Sequence, residues 1–204
     1  MNYKDRSQQQ FMLELRRKAF HLLVLLLPVA QAILPDDPQT RSILITGGAI
    51  IAIGLLAMES YRIRNPDFFA NRFSRSSERS QIAAYIPTYF VVYIIYLFFG
   101  LSIAAMSIFV SALGDAAAAL FGMRFGTHRL PFTTKKSWEG TCAGFCTTLL
   151  AALIYAKFWL ALGLAFILVA TDFIEDVKTT FLSDNFLNPF FFAVLIFHAS
   201  TLLR

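Results

Sequence analysis

Charge is scarce in this chain. Only 18 Lys and Arg and 13 Asp and Glu occur in 204 residues, which is 15% charged where a soluble domain carries about 25%. A water-exposed surface cannot be built from so few polar groups. Cysteine is scarcer still: Cys142 and Cys146 lie four apart in one apolar run, share a helix face, and cannot readily bridge each other. That excludes a disulfide-rich secreted scaffold. Disorder and coiled coil are excluded by the same composition, and no internal repeat or low-complexity stretch occurs. What is abundant is apolar: 57% hydrophobic residues, with 22 Phe, 7 Tyr and 2 Trp, and a mean hydropathy of +0.59. These numbers describe an integral membrane protein.

A spanning helix needs about 20 apolar residues. That window predicts an all-α, polytopic transmembrane bundle with seven spans at residues 19–34, 43–61, 82–99, 102–122, 139–156, 158–174 and 186–203. Seven such helices leave about 60 residues for every connection, so residues 1–204 are read as a single transmembrane catalytic domain. Within it, 1–18 is a cytoplasmic segment, 65–81 an interfacial segment and 123–138 a basic cytoplasmic loop. Spans three and four meet at Gly100 and Leu101, and five and six at Lys157; such short joints predict antiparallel neighbours.

Fifteen of the eighteen Lys and Arg, all but Arg41, Lys157 and Arg204, fall on one side of this arrangement. Positive residues gather on the cytoplasmic side, so the N-terminus is expected in the cytoplasm and the C-terminus outside, in a prokaryotic plasma membrane. The pI of 9.4 is then a signal of topology, and nucleic acid is not expected as a partner. Arg16, Arg17 and Lys18 followed by an apolar run imitate a signal peptide, but the long charged region with Asp5 and Glu14 is read as part of the mature protein. The sequence does not fix an oligomeric state.

Charges inside a membrane cost about 2.5 to 3.5 kcal/mol each on insertion scales, so each is a site hypothesis. Asp115 lies nine residues before Arg124, about 13 Å below the boundary, on a face of small residues with Ser111, Ala118 and Gly122. The alternative is a structural hydrogen bond to a neighbouring helix. Asp172, Glu175 and Asp176 share a face at i, i+3 and i+4; like charges so close need a cation, raised pKa values or solvent, and oxygen ligands suit Mg²⁺. Asp184 and Asn185 open the last span and Glu139 the fifth. A basic loop with Arg124, His128, Arg129, Lys135 and Lys136 lies on the same side. Its cations can neutralise phosphate, and Ser137 can cap a helix whose N-terminus also favours anions.

Gly114-Asp115 through Gly122 and Gly126, followed by Lys135-Lys136-Ser137-Trp138-Glu139-Gly140, resembles the central signature of the membrane CTP transferases. That group holds phosphatidate cytidylyltransferases and CTP-dependent lipid kinases acting on dolichol or another polyprenol, phytol or diacylglycerol. Arg17-Lys18-Ala19-Phe20-His21 looks like the kinase branch's opening Arg-Lys-x-x-His, and Glu59-Ser60-Tyr61-Arg62 is similar to its Glu-x-x-Arg. Glu175, Asp184, Asn185 and Pro189 match its closing Glu, Asp-Asp-Asn and Pro, with Ser183 in place of the first Asp. The cytidylyltransferase branch ends in His-Gly-Gly and Asp-Arg-x-Asp, and residues 172–190 contain neither glycine nor histidine.

The resemblance implies phosphoryl transfer from CTP, with Mg²⁺, to a membrane lipid alcohol, an isoprenoid one preferred. In that reading Asp115, Glu139, Asp172, Glu175, Asp176 and Asp184 are candidates for metal, and Arg124, Arg129, Lys135, Lys136 and Ser137 for nucleotide. Glu59, Arg62 and Asn185 are expected to orient the substrate, and His21, one turn inside the first span, to orient or deprotonate the hydroxyl. Two other functions are kept open. One is phosphatidate cytidylyltransferase, making CDP-diacylglycerol; the other is a small transporter carrying protons or cations through Asp115 and His21, against which stands the absence of a repeat. Cys142 and Cys146, with Gly140 and Gly144 on an adjoining face, are expected to allow close helix packing, and the cysteines are given no chemistry.

Overall fold

The computed structural model describes residues 11–12, 14–16, 18–19, 26–65, 67–68, 81–83, 85–131, 133, 136–174 and 184–202, with backbone alone at 174, 184 and 202. Among these residues there is no strand, and every extended element is a helix. The helices are α1 (Leu26–Ile33), α2 (Pro38–Arg64), α3 (Tyr85–Phe99), α4 (Leu101–Phe125), α5 (Trp138–Leu153), α6 (Phe158–Ile174) and α7 (Asp184–Leu202). Residues 11–12, 14–16 and 18–19 are helical as well. The expected all-α class therefore holds, and the helices fall where the apolar windows put them.

By length and apolar composition α2 and α4 can each cross a membrane; α3 and the apolar stretches Phe158–Phe173 and Asn185–Thr201 are shorter. The starting point of α2 shows why boundaries shift. Asp37 caps it, accepting from Thr40 N–H at 2.9 Å and from the Thr40 hydroxyl at 2.9 Å, and Pro38 sets the first helical φ. This cap starts the helix five residues before the apolar window opens at 43. Only Ala52, Glu59 and Arg62 are buried along its 27 residues, while Ile43, Ile50 and Ile53 are 62%, 65% and 69% exposed. An isoleucine-studded face of that kind suits lipid as its solvent.

Three phenols tie α2 to α3: Tyr89 donates to the carbonyl of Gly48 at 2.7 Å, Tyr93 to that of Ile45 at 2.7 Å, and Tyr96 to that of Arg41 at 3.3 Å. From α3 the chain reverses into α4 through Gly100, whose φ of +85 is open to glycine at little cost. The expected antiparallel neighbours, α3 with α4 and α5 with α6, do pack together.

α4 is the centre of the bundle, touching α1, α3, α5, α6 and α7. Most of its buried residues are small, among them Ala104, Ala105, Ser107, Ser111, Gly114 and Ala118. Against α5 the seam is tightest. A Cβ on Gly140 would stand 2.6 Å from the Ala118 carbonyl oxygen and 2.9 Å from Gly122 Cα. One on Gly144 would stand 2.9 Å from Ala118 Cβ, and one on Gly114 would strike the Thr148 hydroxyl at 2.0 Å. Small residues let backbones approach in this way when lipid surrounds the bundle. Gly140 and Gly144 make the contact as expected, whereas Cys142 and Cys146 are exposed and free, so the cysteines' share in that packing is corrected. Beyond the seam, Val110, Ala152, Leu164, Leu168 and Phe192 form the main apolar core of α4 to α7.

Candidate functional site

The deep acid of α4 has a partner that its own helix does not supply. The Lys18 ammonium, from the N-terminal segment, donates to Asp115 Oδ2. The two side chains are 6% and 12% exposed. Gly114, the residue before Asp115, lies under Thr148 of α5 and Leu168 of α6, so Asp115 borders the point where three helices meet. The Thr148 hydroxyl is buried there without a hydrogen-bond partner among the described residues.

A second acid stands one helical turn beyond Leu168. Asp172 is 2% exposed and receives Lys136 Nζ at 2.6 Å on Oδ1 and the Thr141 hydroxyl at 2.7 Å on Oδ2. Next to it the Thr171 hydroxyl donates to Asn188 Oδ1 at 2.5 Å, joining α6 to α7. The loop lysine and the helix aspartate, expected as separate nucleotide and metal ligands, are thus one ion pair.

The loop between α4 and α5 is a built structure. Arg129 and Ser137 form an antiparallel bridge, Leu130 N–H donates to the Lys136 carbonyl at 3.2 Å, and Trp138 N–H to the His128 carbonyl at 2.9 Å. Glu139 clasps its near end, accepting from Thr127 N–H at 3.1 Å, the Thr127 hydroxyl at 2.6 Å and His128 N–H at 3.1 Å. His128 Nδ1 also lies 2.8 Å from its Oε1. Ser137 is the N-cap of α5, accepting from Gly140 N–H at 3.2 Å, as its sequence position predicts. Arg124, in the last turn of α4, and Arg129, in the loop, are exposed.

The Glu-x-x-Arg of α2 forms a separate constellation. Arg62 is fully buried and holds Glu59 in a fork, Nε to Oε2 at 2.8 Å and a terminal nitrogen to Oε1 at 2.7 Å. Glu59 also accepts from Ala83 N–H at 2.7 Å and from the Tyr85 hydroxyl, and Arg62 donates to the Gln81 carbonyl at 2.6 Å. Four donors fill the acceptor sites of one carboxylate, so the pair clamps the start of α3 to the end of α2. Beside it opens an apolar groove of about 370 Å³ lined by Leu56, Glu59, Ser60, Ile63, Ile86 and Phe90.

Not every expected site residue is in view. His21, Lys135, Glu175 and Asp176 lie outside the described residues, as does the side chain of Asp184 and most of the interfacial segment 65–81. Among the described residues no three of His, Cys, Asp and Glu gather in one place; Asp115, Asp172 and Glu139 each face a different partner. Sequence reasoning passed over Thr141, Tyr85, Asn188 and the role of Lys18. Thr141 carried a signal, since it stands one turn after the cap Ser137 and shares a face with Gly144 and Thr148.

Asp172, buried, and Asp115, nearly so, thus each hold a lysine on an α-helical bundle that also carries a folded basic loop. The chain belongs to the Cytidylyltransferase family, whose profile matches residues 4–202. A phytol kinase of Synechocystis sp. is 37% identical over 68 residues, 33% of this chain and 29% of that protein. A probable chloroplastic phytol kinase of Triticum aestivum is 36% identical over 95 residues, 41% and 32% of the respective chains. The match therefore spans about a third of the length of either relative. No solved structure matches the chain. Both relatives are phytol kinases, members of the branch to which Arg17 to His21 and Glu59 to Arg62 are similar.

Proposed function

We propose that the protein transfers a phosphoryl group from CTP to the hydroxyl of a membrane isoprenoid alcohol of the phytol or polyprenol type, at a site on the cytoplasmic side. The observation that carries this reading is the similarity to two phytol kinases, supported by the two ion pairs Lys18–Asp115 and Lys136–Asp172. In the reaction the alcohol oxygen bonds to the γ-phosphorus as the bond from that phosphorus to the β,γ-bridging oxygen breaks. Lipid phosphate and CDP result, and the hydroxyl proton passes to a base, for which His21 and the carboxylates are the candidates.

Such transfer is mostly positioning and charge neutralisation. The donor set fits Mg²⁺, because that ion takes one or two carboxylates and completes its shell with water and phosphate oxygens. Asp115 and Asp172 would hold it, with Glu175, Asp176 and Asp184 as further candidates; when bound, the ion neutralises phosphate oxygens. Arg124, Arg129, Lys135 and Lys136 would bind the triphosphate over the N-terminus of α5. Glu139 and Ser137 shape that loop, and Glu59 and Arg62 would act by fixing the wall of the apolar groove in which the alcohol's chain can lie. Asn185 remains a candidate for orienting the substrate.

A second reading, CMP transfer to phosphatidate with release of pyrophosphate, is favoured by the family's description. One experiment separates the two. Purified protein is incubated with Mg²⁺, γ-labelled CTP and either phytol, polyprenol, diacylglycerol or phosphatidate, and the lipids are separated. Label in lipid phosphate, lost in Asp115→Asn, is the expected result. Label released as pyrophosphate with phosphatidate alone overturns it.

A further inference from the structure

The pairing of Lys18 with Asp115 brings together residues 97 positions apart in the chain. Both are sequestered, the lysine side chain at 6% exposure and the aspartate at 12%. A buried ion pair tolerates exchange of partners and not loss of one, because a single uncompensated charge at that depth is strongly disfavoured. Lys18 can therefore leave Asp115 only when another cation takes its place on the carboxylate and another anion receives the ammonium. A divalent metal with a nucleotide triphosphate supplies both at once; neither alone supplies more than one.

We propose that Lys18 is an internal counter-ion that couples metal binding to triphosphate binding: it holds the place of the metal on Asp115 and then becomes a phosphate ligand. The proposal rests on the transferase reading above and assigns Lys18 a positioning role at Asp115 before nucleotide arrives. Lys136 on Asp172 repeats the arrangement, with the lysine side chain 16% and the aspartate 2% exposed. The device makes a metal-loaded, nucleotide-free site rare, and with it the wasteful activation of water beside a lipid.

The test uses the full chain in detergent and two separate probes. In the first, Mn²⁺ alone is titrated and the free ion followed by electron paramagnetic resonance. Lys18→Met is expected to bind Mn²⁺ about tenfold tighter than the wild type, within the 5- to 150-fold range of coupled sites. Lys18→Arg should behave as the wild type, and Asp115→Asn should abolish the gain. Equal or weaker Mn²⁺ binding by Lys18→Met overturns the counter-ion. In the second, labelled CTP retained by the wild type is measured in Mg²⁺ and in EDTA. Retention at least about tenfold tighter with Mg²⁺ is expected; equal retention overturns the coupling even if Lys18→Met fails to fold. No CTP retained in either condition overturns the transferase reading, while the Mn²⁺ arm still decides whether Lys18 guards Asp115.

Discussion

Gly140→Ala tests how far the α4–α5 seam sets this fold. The added Cβ would lie 2.6 Å from the Ala118 carbonyl oxygen, where 3.4 Å is ordinary contact, and 2.9 Å from Gly122 Cα. Both neighbours are backbone, so relief requires the helices to separate by about 0.8 Å, the difference between 3.4 and 2.6. Overpacking of this kind costs about 1 to 3 kcal/mol. Because both neighbours are backbone the cost lies in the upper part of that range, about 2 to 3 kcal/mol, and alanine's better helix propensity returns up to about 1 kcal/mol, which leaves a net loss of about 1 to 2 kcal/mol. Gly54→Ala is the matched control, because a Cβ there meets nothing within 4 Å and only the propensity gain applies. Thermal unfolding in detergent, followed by circular dichroism, should place Gly140→Ala a few degrees below the wild type, at about 2 to 4 °C per kcal/mol, and Gly54→Ala at or above it. The reasoning is refuted if Gly140→Ala unfolds no earlier than the wild type, or if both alanines lower the midpoint equally.

Other consequences are open to simpler assays. Glu59→Gln leaves the fully buried Arg62 without its counter-charge and should cost about 3 to 5 kcal/mol, read as loss of folded protein in detergent, whereas Tyr85→Phe, which removes one of four donors, should cost about 1 kcal/mol. Asp172→Asn keeps the shape and the acceptor for Thr141 while removing the charge opposite Lys136; lipid phosphorylation should fall far more than the unfolding midpoint does. Hydrogen bonds from the Thr40 backbone and then its hydroxyl hold the Asp37 carboxyl below its ordinary value of 3.8, so its cap contributes stability above that pH and loses it as pH falls through the lower folded value. Asp37→Asn should therefore flatten the acid side of the stability profile, measured by unfolding midpoints from pH 6 to pH 2. Cys142 and Cys146, exposed and unpaired, should both react with a small maleimide in detergent, and replacing them with serine should leave the midpoint unchanged.

Much of the architecture was legible because each helix is a predominantly apolar run, and the cap at Ser137 follows from local chemistry. The start of α2 was not, because a hydropathy window cannot see a cap at Asp37, six residues before it opens. The site was legible in its residue types and not in its pairings. Asp172 with Glu175 and Asp176 has helical spacing, which suggests a cluster; the structure instead sends Asp172 to Lys136 and Thr141, 36 and 31 positions away. Local spacing reports which side chains share a face, and only packing decides what stands opposite that face. The same limit hid Lys18, whose motif marked it as present and whose partner lies in another helix.

The sparse packing of α2 gives the surrounding lipid a lever on this protein. At 1.5 Å per residue its 27 residues measure about 40 Å, against a hydrocarbon core of about 30 Å. In a bilayer the helix must tilt or let its ends emerge, and the tilt follows the thickness of the membrane. Among the described residues, phenol hydroxyls along its length, Leu44 and Ile45 packed against the core, and the Glu59–Arg62 clamp at its end resist that rotation. Thinning or thickening the bilayer would thus be felt at the mouth of the apolar groove, making acyl-chain length an input to the protein as well as a solvent for it.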